Sequence, residues 1–215
     1  SRYTNPSTAP FIFSIKQTGV PVGGVIAGAL LPVFVELFGW RGALVCAASM
    51  ALVLALILQP FRAEFDSDRQ PERSLKLTDL RATLGAVLHD ARVRELALGL
   101  FAFTGLQLAF ASFFVSFLSL GMGWTLTDAG IAYSVAMGAG IAGRLIWGWV
   151  GSRYVPPILL LAILGLVMGL ACMAIGLIDA SWQQPAVWAV VFIYGLTGIG
   201  YQGVLLAEIA RIAPP

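Results

Sequence analysis

Long apolar runs separated by short polar connections make up the chain, and the lengths of the runs decide the element type. A hydrocarbon core of about 30 Å takes about 20 apolar residues in helical form. Six stretches reach that scale, near residues 11–37, 43–60, 96–120, 127–150, 157–178 and 185–207. They are continuously apolar and lack the ten-residue alternation of outer-membrane strands, so the pattern predicts an all-α, polytopic transmembrane helix bundle of six spans. Between Leu96 and Gly143 the only charge is Asp128, whereas residues 61–95 hold most of the ionisable side chains. In that loop, residues 63–73 are charged and mixed in sign. From Thr78 onward Leu80, Leu84, Val87, Leu88 and Ala91 recur at helical spacing. Thr78 suits the cap and Asp79 the positive end, which predicts an amphipathic helix lying along the membrane surface.

Composition agrees: 59% of residues are hydrophobic and 11% charged, against roughly 25% charged in ordinary soluble domains. The mean hydropathy is +0.87. Of the 13 Lys and Arg, only Arg41 falls on one side of the expected topology. Arg2 and Lys16, the seven of the long loop, Arg144 and Arg153 after the fourth span, and Arg211 all fall on the other. The positive-inside rule then places both ends and the long loop in the cytoplasm. Cys46 and Cys172 lie inside spans and read as small packing residues. His89 is the only histidine, which excludes a His-based metal cluster; no metal, cofactor or nucleic-acid partner is expected. No cleavable signal is visible, and the chain opens in mid-loop without Met, as expected of a piece of something longer.

The stretch KQTGVPVGG, residues 16–24, puts a cation, an amide, a proline and glycines at the start of the first apolar run. Gly19 with Gly23, Gly24 with Gly28, and Gly165 with Gly169 are four apart, the spacing that lets transmembrane helices approach closely. Gly19, Pro21, Gly23 and Gly24 therefore read as a bend and packing device, with Lys16 able to snorkel to the headgroups. Trp40 and Trp124 fall at expected interfaces as anchors.

Three segments together resemble the major facilitator superfamily of secondary transporters: GVPVGG followed by FGWRGA, GRLIWGWVGSRY, and GYQGVLLAEIARIAP. The family's fifth-helix and eighth-loop patterns are departed from at Val20, which separates Gly19 from Pro21, and at Ser152, where Asp is usual. Aligned on these segments, the spans look like helices five to ten of a twelve-helix carrier. The resemblance then implies that residues 1–60 are the last two helices of the N-terminal half, 61–95 the central loop, and 96–215 the first four helices of the C-terminal half. It implies transport of a small organic solute by alternating access, with the bilayer, the substrate and the missing helices of the same carrier as partners. The implied location is the cell membrane, the inner membrane of a bacterium. At the cytoplasmic gate Glu208 is expected to pair with Arg144 or Arg153.

A midplane cavity should be lined by the rare polar groups inside spans, since these are costly in lipid. Gln17, Gln107, Tyr133, Tyr194, Tyr201 and Gln202 are the candidates for substrate contact, with Ser112 and Ser134 as further polar positions. Gln107 and Gln202 lead, and for each a helix-to-helix hydrogen bond is the competing reading. Lys16 would favour an organic anion or carboxylate if it faced the cavity. No paired carboxylates or histidines lie at depth, which argues against an enzyme. The alternative is a six-helix scaffold or assembly protein without transport of its own.

Overall fold

The computed structural model describes residues 15–62, 85, 88–179 and 181–212. Among them every regular element is helical. Helix α1 (Gly19–Leu58) continues into a single 3₁₀ turn, Gln59–Phe61. Helix α2 (Ala91–Ser116) ends in a π turn, Phe117–Gly121, and is followed by α3 (Leu126–Arg153) and α4 (Pro157–Gly176). Helix α5 (Gln184–Tyr194) passes through a second π turn, Gly195–Ile199, before α6 (Gln202–Ile212). The surface helix expected from Thr78 lies largely outside the described residues.

Five helical runs among the described residues are long and apolar enough to cross a membrane, where six spans were expected. The difference lies in the first run, Ile15–Phe61, whose 47 residues would extend about 70 Å at 1.5 Å per residue, over twice the hydrocarbon core. Gly39 divides it, with φ 69° and ψ 171° inside otherwise helical backbone. An L side chain is disfavoured at that φ, so glycine is what allows the break. Gly42 completes the corner: a Cβ there would collide with Phe38. The two expected spans are thus two helical segments joined at one residue, within the FGWRGA sequence.

The starts of the helices follow from local chemistry. Asp90 caps α2, its Oδ1 accepting from the backbone N–H of Arg92 at 2.8 Å and of Val93 at 3.3 Å. Thr125 caps α3 by accepting from the Asp128 N–H at 3.0 Å while donating its hydroxyl to the Asp128 carboxylate at 2.7 Å. Pro157 and Pro185 lie in the first turns of α4 and α5, where a missing N–H costs no helical hydrogen bond. Pro21 is placed in the same way: the chain turns at Thr18, and Pro21 falls in the first turn of α1. In the connection after α4, the Asp179 carboxylate accepts from the Ser181 hydroxyl and N–H, which holds it below the usual carboxylate range.

Helices α1 and α3 run antiparallel and meet through small residues. Gly24 faces the Met137 side chain, Gly28 faces Gly130 and Ser134, and Pro32 rests on Gly130. Ser134 donates to the Val25 carbonyl at 2.9 Å, and Thr127 donates to the Glu36 carboxylate at 2.9 Å. Of the two glycine pairs expected in this stretch, Gly24 with Gly28 lies in the close approach, whereas Gly19 and Gly23 face open space. Beyond Met137, α3 turns to the other helices. Gly140 and Gly143 meet Ile199 and Leu196 of the second π turn, and Gly195 meets Ala136. One core packs Phe110, Phe114 and Leu118 of the α2 run against Ala132 and Ala136 of α3 and Val191 and Tyr194 of α5. A second packs Leu160, Leu161 and Leu164 of α4 against Tyr201, Val204 and Leu205. After Gly39, α1 buries only Ala43 and leaves Leu52, Leu54 and Leu56 uncovered, a surface suited to hydrocarbon.

The α1–α3 crossing predicts a specific sensitivity. Replacing Gly130 by Leu would drive a side chain into the Gly28 backbone and Pro32, and overpacking of this kind costs about 1–3 kcal/mol. Thermal unfolding of the purified full-length protein should show Gly130→Leu clearly destabilised and Gly23→Leu close to wild type. Equal losses at both positions would contradict the observed contact.

Candidate functional site

Five polar side chains from different parts of the spans, Thr104, Gln107, Arg144, Tyr201 and Gln202, come together at one place. Arg144 lies on α3, nine residues and about 14 Å short of its end at Arg153. It is 0% exposed. Counting Arg144 with the cytoplasmic turn was therefore an error: it is inside the helix, facing α6. The sidedness of the remaining cations is unchanged by moving it.

Two things bring the Arg144 side chain into the bundle. Glycines at 140 and 143 on α3, and at 195 and 200 opposite, bring the backbones of α3 and the second π turn together. The π turn then leaves carbonyls aimed at α3. Arg144 Nε donates to the Ile199 carbonyl at 3.2 Å, and the Trp147 indole, one turn away, donates to the Leu196 carbonyl at 2.7 Å. Arg144 also donates through Nη2 to Gln202 Oε1 at 2.5 Å. Its Nη1 is buried and has no hydrogen-bond partner. All acceptors around this guanidinium are neutral, so its charge is met by no carboxylate among the described residues.

From Gln202 the network crosses to α2. Gln202 Nε2 donates to Gln107 Oε1 at 3.1 Å, and the Tyr201 hydroxyl donates to the same oxygen at 3.4 Å. Thr104 Oγ1 lies 3.4 Å from the Tyr201 hydroxyl. Tyr201 is itself buried and packs its ring on Phe103 with centroids 4.3 Å apart. Three helices, α2, α3 and α6, with the Tyr201 turn, thus contribute to one polar chain in an otherwise apolar bundle.

The other sequence candidates lie elsewhere. Tyr194 is fully buried, stacks on Phe110 at 4.2 Å and donates to the Leu106 carbonyl at 3.1 Å, so it joins helices. Tyr133 stacks on the far side of the same cluster, 6.0 Å from Phe110. Ser134 is taken by the Val25 carbonyl, Ser112 is exposed, and Gln17 is half-buried near the start of α1. The pairing of Glu208 with Arg144 or Arg153 is not the one found. Glu208, 1% exposed, is held by Arg211 on its own helix, Nε at 2.9 Å and Nη2 at 2.5 Å. Three residues along a helix is a shorter reach than a crossing to α3, where Arg144 is already engaged and Arg153 is exposed at the end. Hydrogen bonds to Glu208, and then its charge, hold the Arg211 guanidinium above its ordinary value. Sequence reading missed Arg144 as the centre of the polar network, although a lone arginine six residues before the end of the 127–150 apolar run was a visible signal. Thr104 and Trp147 gave none. No group of three or more His, Cys, Asp or Glu able to hold a metal occurs among the described residues.

Such an arrangement presents a buried cation with a free N–H, backed by amides, and no nucleophile or acid–base pair beside it. Comparison with known proteins bears on what kind of molecule carries it. The family model for the Major Facilitator Superfamily matches residues 1–215. Human monocarboxylate transporter 11 is 31% identical over 87% of this chain and 40% of its own length. The mouse protein of the same name is 28% identical over 87% of this chain and 42% of its own. The chain thus spans about two fifths of the length of these relatives. No solved structure matches. With the family model covering every residue, and multiple apolar helices of membrane-crossing length, the chain is a multi-pass membrane protein that belongs to the major facilitator superfamily of transporters.

Proposed function

We propose that the protein is a secondary carrier of small organic anions of the monocarboxylate class, with Arg144 as the residue that receives the carboxylate. The observation that carries this is the unpartnered Nη1 of a fully buried guanidinium inside the bundle, with no carboxylate partner among the described residues. A buried donor left unpaired is costly, and more so when charged. A carboxylate accepts two N–H bonds from a guanidinium fork and neutralises its charge, so binding would remove both penalties together. The relatives bear the name monocarboxylate transporter, which points to the same ligand chemistry.

Alternating access is the transport mode this reading implies. Helix α1 is joined to α3 from Gly24 to Glu36, the contact across which the two halves of the carrier would rock in this reading. In this reading residues 1–60 belong to one half of the carrier and 96–215 to the other, and the membrane orientation follows the cations. Lys16 is exposed at the start of α1 and takes no part in the site.

Uptake by the full-length carrier in proteoliposomes, scanned over labelled monocarboxylates, tests the proposal. Arg144→Gln should abolish uptake in protein that still elutes as a folded species. Arg144→Lys, which keeps the charge and loses the fork, should lower it by at least about tenfold. Full uptake by folded Arg144→Gln would end the carboxylate reading and favour a scaffold or a different ligand.

A stability prediction follows from the same group. Gln202→Leu takes away one of the two acceptors that hold the guanidinium and should cost about 1–3 kcal/mol. Adding Arg144→Met removes the orphaned charge as well. The double variant should therefore unfold at a higher temperature than Gln202→Leu alone; the reverse order would show that Gln202 matters for reasons other than Arg144.

A further inference from the structure

We infer that the cleft between α2, α4 and α6 binds one membrane phospholipid with an ethanolamine headgroup, its phosphodiester held between Arg92 and Arg211, its ammonium at Glu95 and one acyl chain lying along α2. This site is separate from Arg144 and does not depend on what Arg144 binds.

The cleft has a volume of about 590 Å³ and lies at the end of the bundle where α2 begins and α6 ends. Its rim is polar: Arg92 and Glu95 come from the start of α2 and Arg211 from the last turn of α6, and all three are exposed. Its walls are apolar. Leu161 and Leu205 are buried in them, and Phe103 closes the deep end with its ring packed on Tyr201. From Arg92 to Phe103 is eleven residues of α2, about 16 Å, and half of a 30 Å hydrocarbon core is about 15 Å. Gly99 stands in the wall between them, and a Cβ built there meets nothing within 4 Å. A charged mouth, an apolar length equal to one leaflet and a glycine that keeps the wall open are the dimensions of a lipid chain with its headgroup.

The rim charges decide which headgroup fits. Arg92 and Arg94 lie in the opening turns of α2, the positive end of the helix, where a cation is disfavoured and an anion favoured. Asp90 caps that end, but no acidic residue lies in the first turn. Arg211 gives Nε and Nη2 to Glu208 and keeps Nη1 outside that pair. A phosphodiester can accept charge-assisted hydrogen bonds from both guanidinium groups and relieve the cations crowded at the helix end. Glu95 then selects what the phosphate carries. A primary ammonium brings three N–H donors to its carboxylate, a choline brings none, and an uncharged glycerol leaves the carboxylate facing a lipid of net negative charge. Two cations and one carboxylate on one rim are thus the complement of a phosphate joined to an ammonium.

Native mass spectrometry of the full-length carrier tests this, with chain-matched phosphatidylethanolamine, phosphatidylglycerol and phosphatidylcholine in competition. Wild type should retain one phosphatidylethanolamine and prefer it to either rival by about tenfold, the scale of one hydrogen bond to a charged group. Glycerophosphoethanolamine, the headgroup without chains, should fail to displace it. Gly99→Leu fills the open wall and should lose the retained lipid while unfolding in lipid-free detergent at the wild-type temperature. Arg92→Gln should weaken retention by at least about tenfold, and Glu95→Gln should abolish the preference over phosphatidylglycerol. Equal retention of the three lipids by wild type, or undiminished retention in Gly99→Leu, would overturn the site. Retention of none of them would overturn it as well, the cleft then being filled by the rest of the carrier. Displacement by glycerophosphoethanolamine would replace the lipid with a soluble phosphate ester as occupant and overturn the acyl-chain assignment.

Discussion

A guanidinium in the middle of an apolar bundle constrains everything around it. Moving a charge from water to the centre of a bilayer costs at least about 2.5–3.5 kcal/mol even on the mildest scales, and the cost falls only as partners are supplied. In this protein the partners are built from the backbone. Glycines bring α3 against the second π turn, that turn offers the Ile199 carbonyl to Arg144, and Gln202 supplies a second acceptor from the next helix. Removing the glycines would hold the helices apart and leave the arginine with nothing to bond. The small-residue stripe and the buried cation are thus one device, and neither has an evident use without the other.

The structure satisfies Arg144 only in part. Nε and one Nη2 bond are placed, Nη1 is not, and the acceptors are neutral. A purely structural arginine would be expected to acquire a carboxylate in a bundle of this size. Glu208 is the nearest such group along α6, and it is held by Arg211 on its own helix instead. Segregating the two charges leaves Arg144 without a carboxylate and confines the Glu208–Arg211 ion pair to the end of the helix. Under the proposed carboxylate reading this division has a reason: a receptor neutralised from within would gain little from binding an anion.

How far the sequence disclosed this depended on which property governed each feature. Apolar run length determines what crosses a membrane, so the all-α bundle and its boundaries could be read directly. The first two spans needed Gly39 to be recognised as the dividing residue. Rarity of polar groups within spans was enough to single out Gln107, Tyr201 and Gln202, which do meet; the same rule also selected Tyr133 and Tyr194, whose rings are absorbed by packing on Phe110. Arg144 was visible as a charge yet was counted by sign and side rather than by depth. The π turn at Gly195–Ile199 had no sequence signature beyond its glycines, and without it no argument could have aimed a carbonyl at α3.

Orientation is the property that links the network to chemistry. Amides in lipid-embedded helices usually bond one another, and either polarity serves for holding helices together. A helix-joining role alone would therefore leave Gln107 and Gln202 free to flip as a pair. Arg144 forbids that, because a cation cannot accept, and the direction it imposes on Gln202 passes to Gln107 and through Tyr201 to Thr104. The result is a hydrogen-bond chain with one direction, set at Arg144 and joined across three helices. Joining helices does not require a fixed direction, whereas the proposed carboxylate site would use one, because it keeps the acceptors turned to the guanidinium and leaves its Nη1 free to donate.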